Sequence, residues 1–406
     1  MATTPGAGTE PLTIQQPEYD ERVRRVRQAL AARELDALVL FHPIRMAYVA
    51  GFFHLQTERP IALVVPVDGD LGVLVPHLER LQGSALAGVG HVKTYPEYPT
   101  GGTKHPMEHL RDLLAEMGLA GKRLGYDHDG HHDVNSYDGP PLSEVVEGHT
   151  ERARDIVDTL RLVKSENELR LIRESAKWGD LAHRTMHERV TLGCSPLAVS
   201  IAASADASLA MIAALGPSYR PRTIGRGTPA LVRFKAGANT LVQHGAIAGH
   251  GVRRGDVLVT FAIADVGGYH SELERTMIVG EPNDDFVKYF ELMVRLQEVA
   301  FGALKPGRSL AEAEAEVCRA YEDLGATRFQ QHHSGHGIGL EGHEAPFIDK
   351  GDERIIEENM VISVEPGLYV PGLAGFRHSD TAVVKAGGAE PITTYPRDLA
   401  SLTVRV

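Results

Sequence analysis

The stretch GGYHSELERT, residues 267–276, places two carboxylates, Glu272 and Glu274, one residue apart. Its alternating character predicts a β-strand, in which side chains at positions i and i+2 leave the same face. The two acids should therefore point together. Such a pair is suited to holding a metal ion, a proton or an organic cation.

Histidines and further acids are concentrated in the last quarter of the chain. The segment GHGIGLEGHE carries His336 and His343 seven positions apart, among glycines that allow a ligand to approach closely. Around it lie His332, His333, Glu344, Glu365, His378 and Asp380. We interpret the whole cluster as a functional site, whereas His332, His333 and His378 taken singly fit hydrogen-bonded structural roles better.

Length and composition restrict the class of protein. A chain of 406 residues, 43% hydrophobic and 24% charged, is long enough for two globular domains and has no long uninterrupted apolar stretch. The formal net charge of -12 argues against a nucleic-acid partner. Two cysteines are too few for a disulfide framework. We expect a cytoplasmic protein that neither spans nor binds a membrane.

The hydrophobic pattern divides the chain into three parts. Residues 1–18 have neither a basic start nor an apolar run and are predicted to be a flexible tail. Residues 19–162 alternate helical and strand patterns, which predicts a smaller α/β domain. Residues 163–406 combine long helices with antiparallel-looking strands, which predicts an α+β domain with helices over a curved sheet.

Several motifs in order carry a resemblance to a known family. The segments GGYHSELERTMIVG, GHGIGLEGHEAPF and MVISVEPGLYVPGLAGFRHSDTAVV resemble successive motifs of the creatinase/prolidase/methionine aminopeptidase family. The resemblance runs from about residue 166 onward and is weaker in the amino-terminal half. It implies a pita-bread catalytic domain behind a smaller α/β domain, usually within a homodimer.

The resemblance also implies a set of metal-ligand positions. Family peptidases hold two divalent metals with two aspartates, a histidine and two glutamates. The matching positions here are Phe261, Glu272, His336, Glu365 and Ser379. Because phenylalanine and serine are not adequate replacements for carboxylates, we expect no metal cofactor. The alternative is a single divalent ion such as Mn, Co or Zn on Glu272, His336 and Glu365.

Creatinase, a member of this family that works without metal, supplies the remaining expectations. The LERT portion places Glu274 at the position of the carboxylate that holds creatine's guanidinium, and FKAGANTLVQHG places His244 at that of the catalytic histidine. By this resemblance a cationic guanidino or amidino substrate would be held by Glu274 and Glu365. His244 would act as general base, while His336 and His343 polarise the substrate.

Further residues are candidates for contacts with the substrate. Glu272 would join the cation cage or support His336, and Phe261 and His378 lie at neighbouring positions of the motifs. In the amino-terminal half, FFHLQTERPIALVV resembles creatinase, which implies that Arg59 reaches a substrate carboxylate across a dimer interface, with His54 nearby. A surface ion pair is an equal alternative for Arg59.

The sequence thus predicts a creatinase-like hydrolase that cleaves a C–N bond in a small cationic compound without metal. Two alternatives stay open. One is an Xaa-Pro dipeptidase or aminopeptidase with a reduced metal site, since GLEGHEAPF resembles prolidases more than creatinases. The other is a catalytically dead pita-bread domain that binds a peptide or a partner protein.

Overall fold

A computed structural model describes residues 12–98, 102–131, 135–222, 228–247 and 249–406. The chain forms two compact units, Ile14–Arg161 and Leu162–Val406, and the described residues 12–13 belong with the second. Most of the predicted tail, residues 1–11, lies outside the described residues. Residues 16–18, also predicted as tail, instead begin the first helix.

The amino-terminal unit is an α/β layer structure. Its sheet has the strand order β4-β3-β2-β1-β5-β6, and β2 and β3 form an antiparallel hairpin. The elements are α1 Gln16–Ala32, β1 Ala37–Leu40, α2 Pro43–Ala50, β2 Ala62–Pro66, β3 Leu71–Pro76, α3 Arg80–Ser84, β4 Val89–Tyr95, α4 Pro106–Glu116, β5 Leu124–Tyr126, α5 Leu142–Val145, β6 Thr150–Arg152 and α6 Asp155–Leu162.

The carboxy-terminal unit is built on a 10-stranded sheet. Its main path runs β12-β11-β13-β16-β9-β8-β10-β18, with β7 paired to β8 and β17 to β16, while β14 and β15 pair separately. The elements are α7 Glu166–His187, α8 Pro196–Leu215, β7 Ala230–Ala236, β8 Val257–Val266, β9 Tyr269–Glu274, β10 Thr276–Val279, α9 Asp284–Ala303, α10 Leu310–Asp323, β11 Gly335–Gly337, β12 Glu344–Ile348, β13 Val361–Val364, β14 Gly367–Val370, β15 Ala374–Arg377, β16 Ser379–Lys385, β17 Gly388–Pro391 and β18 Thr403–Val404. The α+β pita-bread prediction is confirmed.

Two long helices cover this sheet. Helix α7 begins at a capping box, in which the side chains of Ser165 and Glu168 each accept a hydrogen bond from the other's backbone N–H group. Helix α8 is long and apolar enough to cross a membrane by length and composition alone. It nevertheless packs on β7, where buried Ser204 and Ser208 hydrogen bond to the strand backbone. These buried polar contacts fit a helix that covers a sheet.

A buried ion pair fastens the central strands together. Arg275 directly follows β9, and both its side chain and that of Asp380 on β16 are fully buried. The guanidinium donates to Asp380 Oδ1 at 2.7 Å, and to the carbonyl oxygens of Glu274 and Tyr395 at 2.7 and 2.8 Å. Because these bonds join the end of β9 to β16 and to the segment that contains Tyr395, this one cation fixes how the three segments meet.

We predict that Asp380→Ala lowers the free energy of unfolding by about 3 to 5 kcal/mol, because it leaves the Arg275 guanidinium buried without its counter-charge. Urea unfolding followed by circular dichroism measures the loss. The control is Glu298→Ala, which removes an exposed partner of Arg397 and should cost less than about 1 kcal/mol. If the two variants lost the same free energy of unfolding, the buried pair would stabilise the fold no more than an exposed pair does.

Candidate functional site

Strand β9 brings the two predicted acids into one buried site. Glu272 and Glu274 are only 2% and 3% exposed, and both line the same pocket. Glu365, which follows β13, joins them, and the three carboxylates have oxygens within 4.8 Å of one another. The strand periodicity therefore places the acids as expected.

A cation from the chain itself lies among these acids. Arg377, at the end of β15, donates through Nη2 to Glu274 Oε1 at 2.5 Å, and its Nε pairs with Glu274 Oε2. Its Nη1 lies 3.5 Å from Glu365 Oε2. The guanidinium is therefore joined to Glu274 by one hydrogen bond and one close charge contact, and it lies near Glu365 as well. The sequence hypothesis assigned this role to a substrate cation, and that assignment loses its basis because Arg377 supplies the charge.

The sequence analysis did not identify Arg377 as a site residue. The sequence did contain a signal. An arginine in the apolar stretch LAGFRHSD is rarely buried without an acidic partner, and the same alternation that aims Ser379 at the site aims Arg377 there as well. Ser379 indeed donates from Oγ to Glu272 Oε1 at 2.8 Å, which leaves it a hydrogen-bond donor in a position where the family has a carboxylate.

Two stacked imidazoles border the acids. His336 on β11 and His343 lie with ring centroids 3.7 Å apart. His336 Nδ1 lies 3.0 Å from the carbonyl oxygen of Gly337, while its buried Nε2 makes no hydrogen bond and lies 3.4 Å from Glu365 Oε1. A histidine whose second nitrogen is held by a backbone carbonyl is oriented as metal-binding histidines usually are.

Burial and charge shift the acidities in the site. Burial raises the pKa of Glu272, and it raises the pKa of Glu274 to about 8 although Arg377 acts in the opposite direction. Burial would also raise the pKa of Glu365, but Arg377 and His336 outweigh it and hold that pKa well below its usual range. The cluster thus holds more negative charge than its own cations neutralise, which favours uptake of protons or of a metal ion.

The two histidines respond differently to this environment. Burial alone would lower the pKa of His336, but its contact with Glu365 and the charge of Glu272 raise it to about 9. Burial lowers the pKa of His343 to about 4, and the neighbouring His336 acts in the same direction. His343 is therefore neutral near pH 7, where it can accept a hydrogen bond or bind a cation.

The donor set fits one divalent ion better than two. Ligand atoms of Glu272, His336 and His343 lie within 4.8 Å of one another, as do those of the three glutamates. Carboxylate and imidazole suit ions such as Zn²⁺ and Mn²⁺. A second ion would find Phe261 and Ser379 at two ligand positions and the guanidinium of Arg377 between Glu274 and Glu365.

The other predicted site residues divide into two groups. His244 and Phe261 line the same pocket as Glu272, Glu274 and His343. His378 does not line that pocket: it is fully buried, accepts a hydrogen bond from the Thr276 N–H at 3.1 Å and packs edge-on against Phe290. Its prediction as a substrate-binding residue is corrected to a structural one, because strand alternation turns it away from the face that carries Arg377 and Ser379.

The amino-terminal candidates have partners within their own unit. Arg59 forms ion pairs with Glu58 and Glu97 at 2.7 and 2.6 Å, as in the surface-pair alternative. His54 lies against Phe52 with ring centroids 4.8 Å apart, and burial lowers its pKa to about 4. Their assignment to substrate binding stays a prediction.

Comparisons with known proteins agree with this architecture. The profile of the creatinase/prolidase N-terminal domain matches residues 22–163, and that of metallopeptidase family M24 matches residues 170–386. A probable dipeptidase PepE of Mycobacterium tuberculosis is 28% identical over 393 residues, which cover 95% of this chain and 97% of that protein. An Xaa-Pro dipeptidase of Pyrococcus furiosus is 31% identical over 245 residues, 60% of this chain and 67% of that protein.

A solved structure shows the same fold. Dipeptidase PepE from Mycobacterium ulcerans superimposes with a TM-score of 0.81 at 26% sequence identity, covering 97% of this chain and 100% of that one.

One prediction is overturned by these findings. We expected no metal cofactor because two ligand positions are lost, but the matching profile describes metallopeptidases, and the described residues retain a buried carboxylate and histidine cluster suited to an ion. The loss of two ligand positions therefore leaves a smaller set of residues that could hold an ion. The enzyme is a hydrolase of C–N bonds, and the chain belongs to metallopeptidase family M24, with a creatinase/prolidase amino-terminal domain.

Proposed function

We propose that the protein is a metal-assisted hydrolase that cleaves the C–N bond of small peptides of the Xaa-Pro type. The observation that carries this proposal is the buried set Glu272, His336 and Glu365 beside the pocket that contains His244. The names of the relatives, dipeptidase and Xaa-Pro dipeptidase, support a short peptide as the substrate class.

One divalent ion would be held by Glu272, His336 and Glu365, with His343 close enough to contribute. When bound, such an ion would polarise the scissile carbonyl and make a water molecule more acidic. When all three glutamates are ionised and His336 is neutral, they and Arg377 together leave two negative charges. That is the charge that one divalent cation balances.

The chain's own residues would orient and protonate the substrate. His244 lies at the exposed side of the pocket, where an imidazole can give a proton to the departing nitrogen, because histidine changes charge near neutral pH. Arg377 keeps Glu274 and Glu365 in fixed positions. A guanidino or amidino substrate has less support, since the acids already hold a guanidinium. Cytoplasmic location and a homodimer stay predictions.

We predict that the purified protein binds about one equivalent of Mn²⁺ or Zn²⁺ and that His336→Ala lowers the affinity at least about tenfold. Because His336 must lose its proton to bind metal, and its pKa is about 9, affinity should rise as the pH increases from 6 toward 9. Calorimetry at several pH values and elemental analysis after dialysis measure both effects.

The control for this variant is His333→Ala, which removes a nearby histidine that pairs with Asp349 outside the cluster. It should bind metal as the unmodified protein does. Two equivalents of tightly bound metal would contradict the single-ion site, and none would contradict the metal-assisted mechanism.

We predict that the metal-loaded protein hydrolyses Ala-Pro and that His244→Ala lowers kcat by about 100-fold or more, as removal of a general acid or base does. Metal content and KM should change little, because His244 is outside the ligand set. His250→Ala, an exposed histidine on the same segment, is the control and should keep full kcat. If His244→Ala keeps full activity as well, the proton-transfer role is wrong.

We predict that Arg377→Met lowers the free energy of unfolding of the metal-free protein by about 3 to 5 kcal/mol, since it leaves Glu274 and Glu365 without their counter-charge. Added metal should recover part of that loss, because it supplies positive charge to the same carboxylates. Thermal unfolding with and without metal provides the comparison. An unchanged stability of the metal-free variant would mean that Arg377 does not neutralise the cluster.

A further inference from the structure

The pocket that contains the acids also carries basic side chains. Glu272, Glu274 and Glu365 are buried, whereas Arg233 and Lys235 come from β7 and Arg233 is exposed. The pocket therefore has opposite charges at its buried and exposed parts. The buried acids already have Arg377 as a counter-charge, so the exposed part is where an anionic group of a ligand would match.

Three basic side chains line the pocket, and two of them have partners within the chain. Arg377 is bound to Glu274 and Glu365. Lys235 donates from Nζ to the carbonyl oxygens of Val242 and Gln243, the latter at 2.7 Å. Among the arginine and lysine residues that line the pocket in the described part of the chain, Arg233 alone has all its N–H groups available.

Arg233 forms neither a hydrogen bond nor an ion pair with any of the residues that the structure describes; its guanidinium lies over the ring of Phe261 at 4.7 Å. The antiparallel pairing of β7 with β8 places the two residues directly opposite each other. Stacking on a ring holds a guanidinium in position while leaving its planar set of N–H donors free. Arg233 is thus oriented and still able to bind an anionic group in two-pronged fashion.

We propose that Arg233, stacked on Phe261, binds the free carboxylate of the substrate and makes the enzyme selective for dipeptides. The peptide nature of the ligand rests on the proposed function, but the recognition of a carboxylate rests on the free guanidinium at the pocket. A dipeptide with a free carboxyl terminus supplies an anion that Arg233 can bind. An amidated dipeptide lacks the anion, and a longer peptide carries it further from the scissile bond.

Calorimetric binding of Ala-Pro and of Ala-Pro amide to the full chain tests this, with a chelator present to prevent turnover. The free acid should bind about tenfold more tightly than the amide, the scale of one charge-assisted contact. Arg233→Gln should remove the preference, and Arg233→Lys, which keeps the charge without the planar fork, should show an intermediate preference. Circular dichroism confirms that each variant is folded.

Arg328→Gln is the matched control, because Arg328 is also exposed and lies 4.7 Å over a phenylalanine ring, that of Phe329, outside the pocket. It should keep the preference for the free acid. Equal binding of acid and amide, no binding of either, or a preference that survives Arg233→Gln overturns the assignment.

The metal-loaded protein separates this proposal from the proposed function. A preference for the free acid without hydrolysis of Ala-Pro would support the carboxylate site and reject the peptidase function. Hydrolysis of Ala-Pro and of its amide at equal kcat/KM would support the peptidase function and reject the carboxylate site.

Discussion

The pairing of Arg377 with Glu274 and Glu365 determines what this site can hold. At an effective dielectric constant of about 20, two like charges about 5 Å apart repel by roughly 3 kcal/mol, and three buried carboxylates lie within that range of one another. The fold cannot keep all three ionised without positive charge. Arg377 supplies one fixed charge, while burial, and to a smaller extent the neighbouring carboxylates, raise the pKa values of Glu272 and Glu274. A single divalent ion would balance the negative charge that remains when all three are ionised, whereas two ions would exceed it.

The sheet makes this charge balance possible by sending alternate residues to opposite faces. On β9, Glu272 and Glu274 face the pocket, while Ser271 turns to α7 and hydrogen bonds with Ser175. Arg275 continues the alternation and forms the fully buried pair with Asp380 on β16. The strands that present the acids are therefore held in register by a separate, internally neutralised pair. Because the Arg275–Asp380 pair is distinct from the site acids, those acids can change their protonation or their ligand while the strands stay paired.

The sequence predicted the elements better than it predicted the pairings. Period-two alternation was sufficient to place Glu272 and Glu274 on one face, and the motif order identified the pita-bread domain. Arg377 escaped notice because its partner Glu274 is 103 positions away in the chain, and no local pattern encodes such a contact. His378 was misassigned for a related reason: its neighbours Arg377 and Ser379 face the site, so alternation directs His378 into the core against Phe290.

The residue at position 261 affects both metal binding and the availability of Arg233 at the pocket. In the resembling peptidases this position holds an aspartate that binds metal, so phenylalanine removes one ligand and one negative charge. The guanidinium of Arg233 stacks on the same ring. Arg233 lies on β7 directly opposite Phe261 on β8. An aspartate there would instead form an ion pair with Arg233 and occupy its N–H groups. The loss of a metal ligand and the gain of a free cation at the pocket are therefore one structural event, and the reduced metal site and the carboxylate preference should occur together.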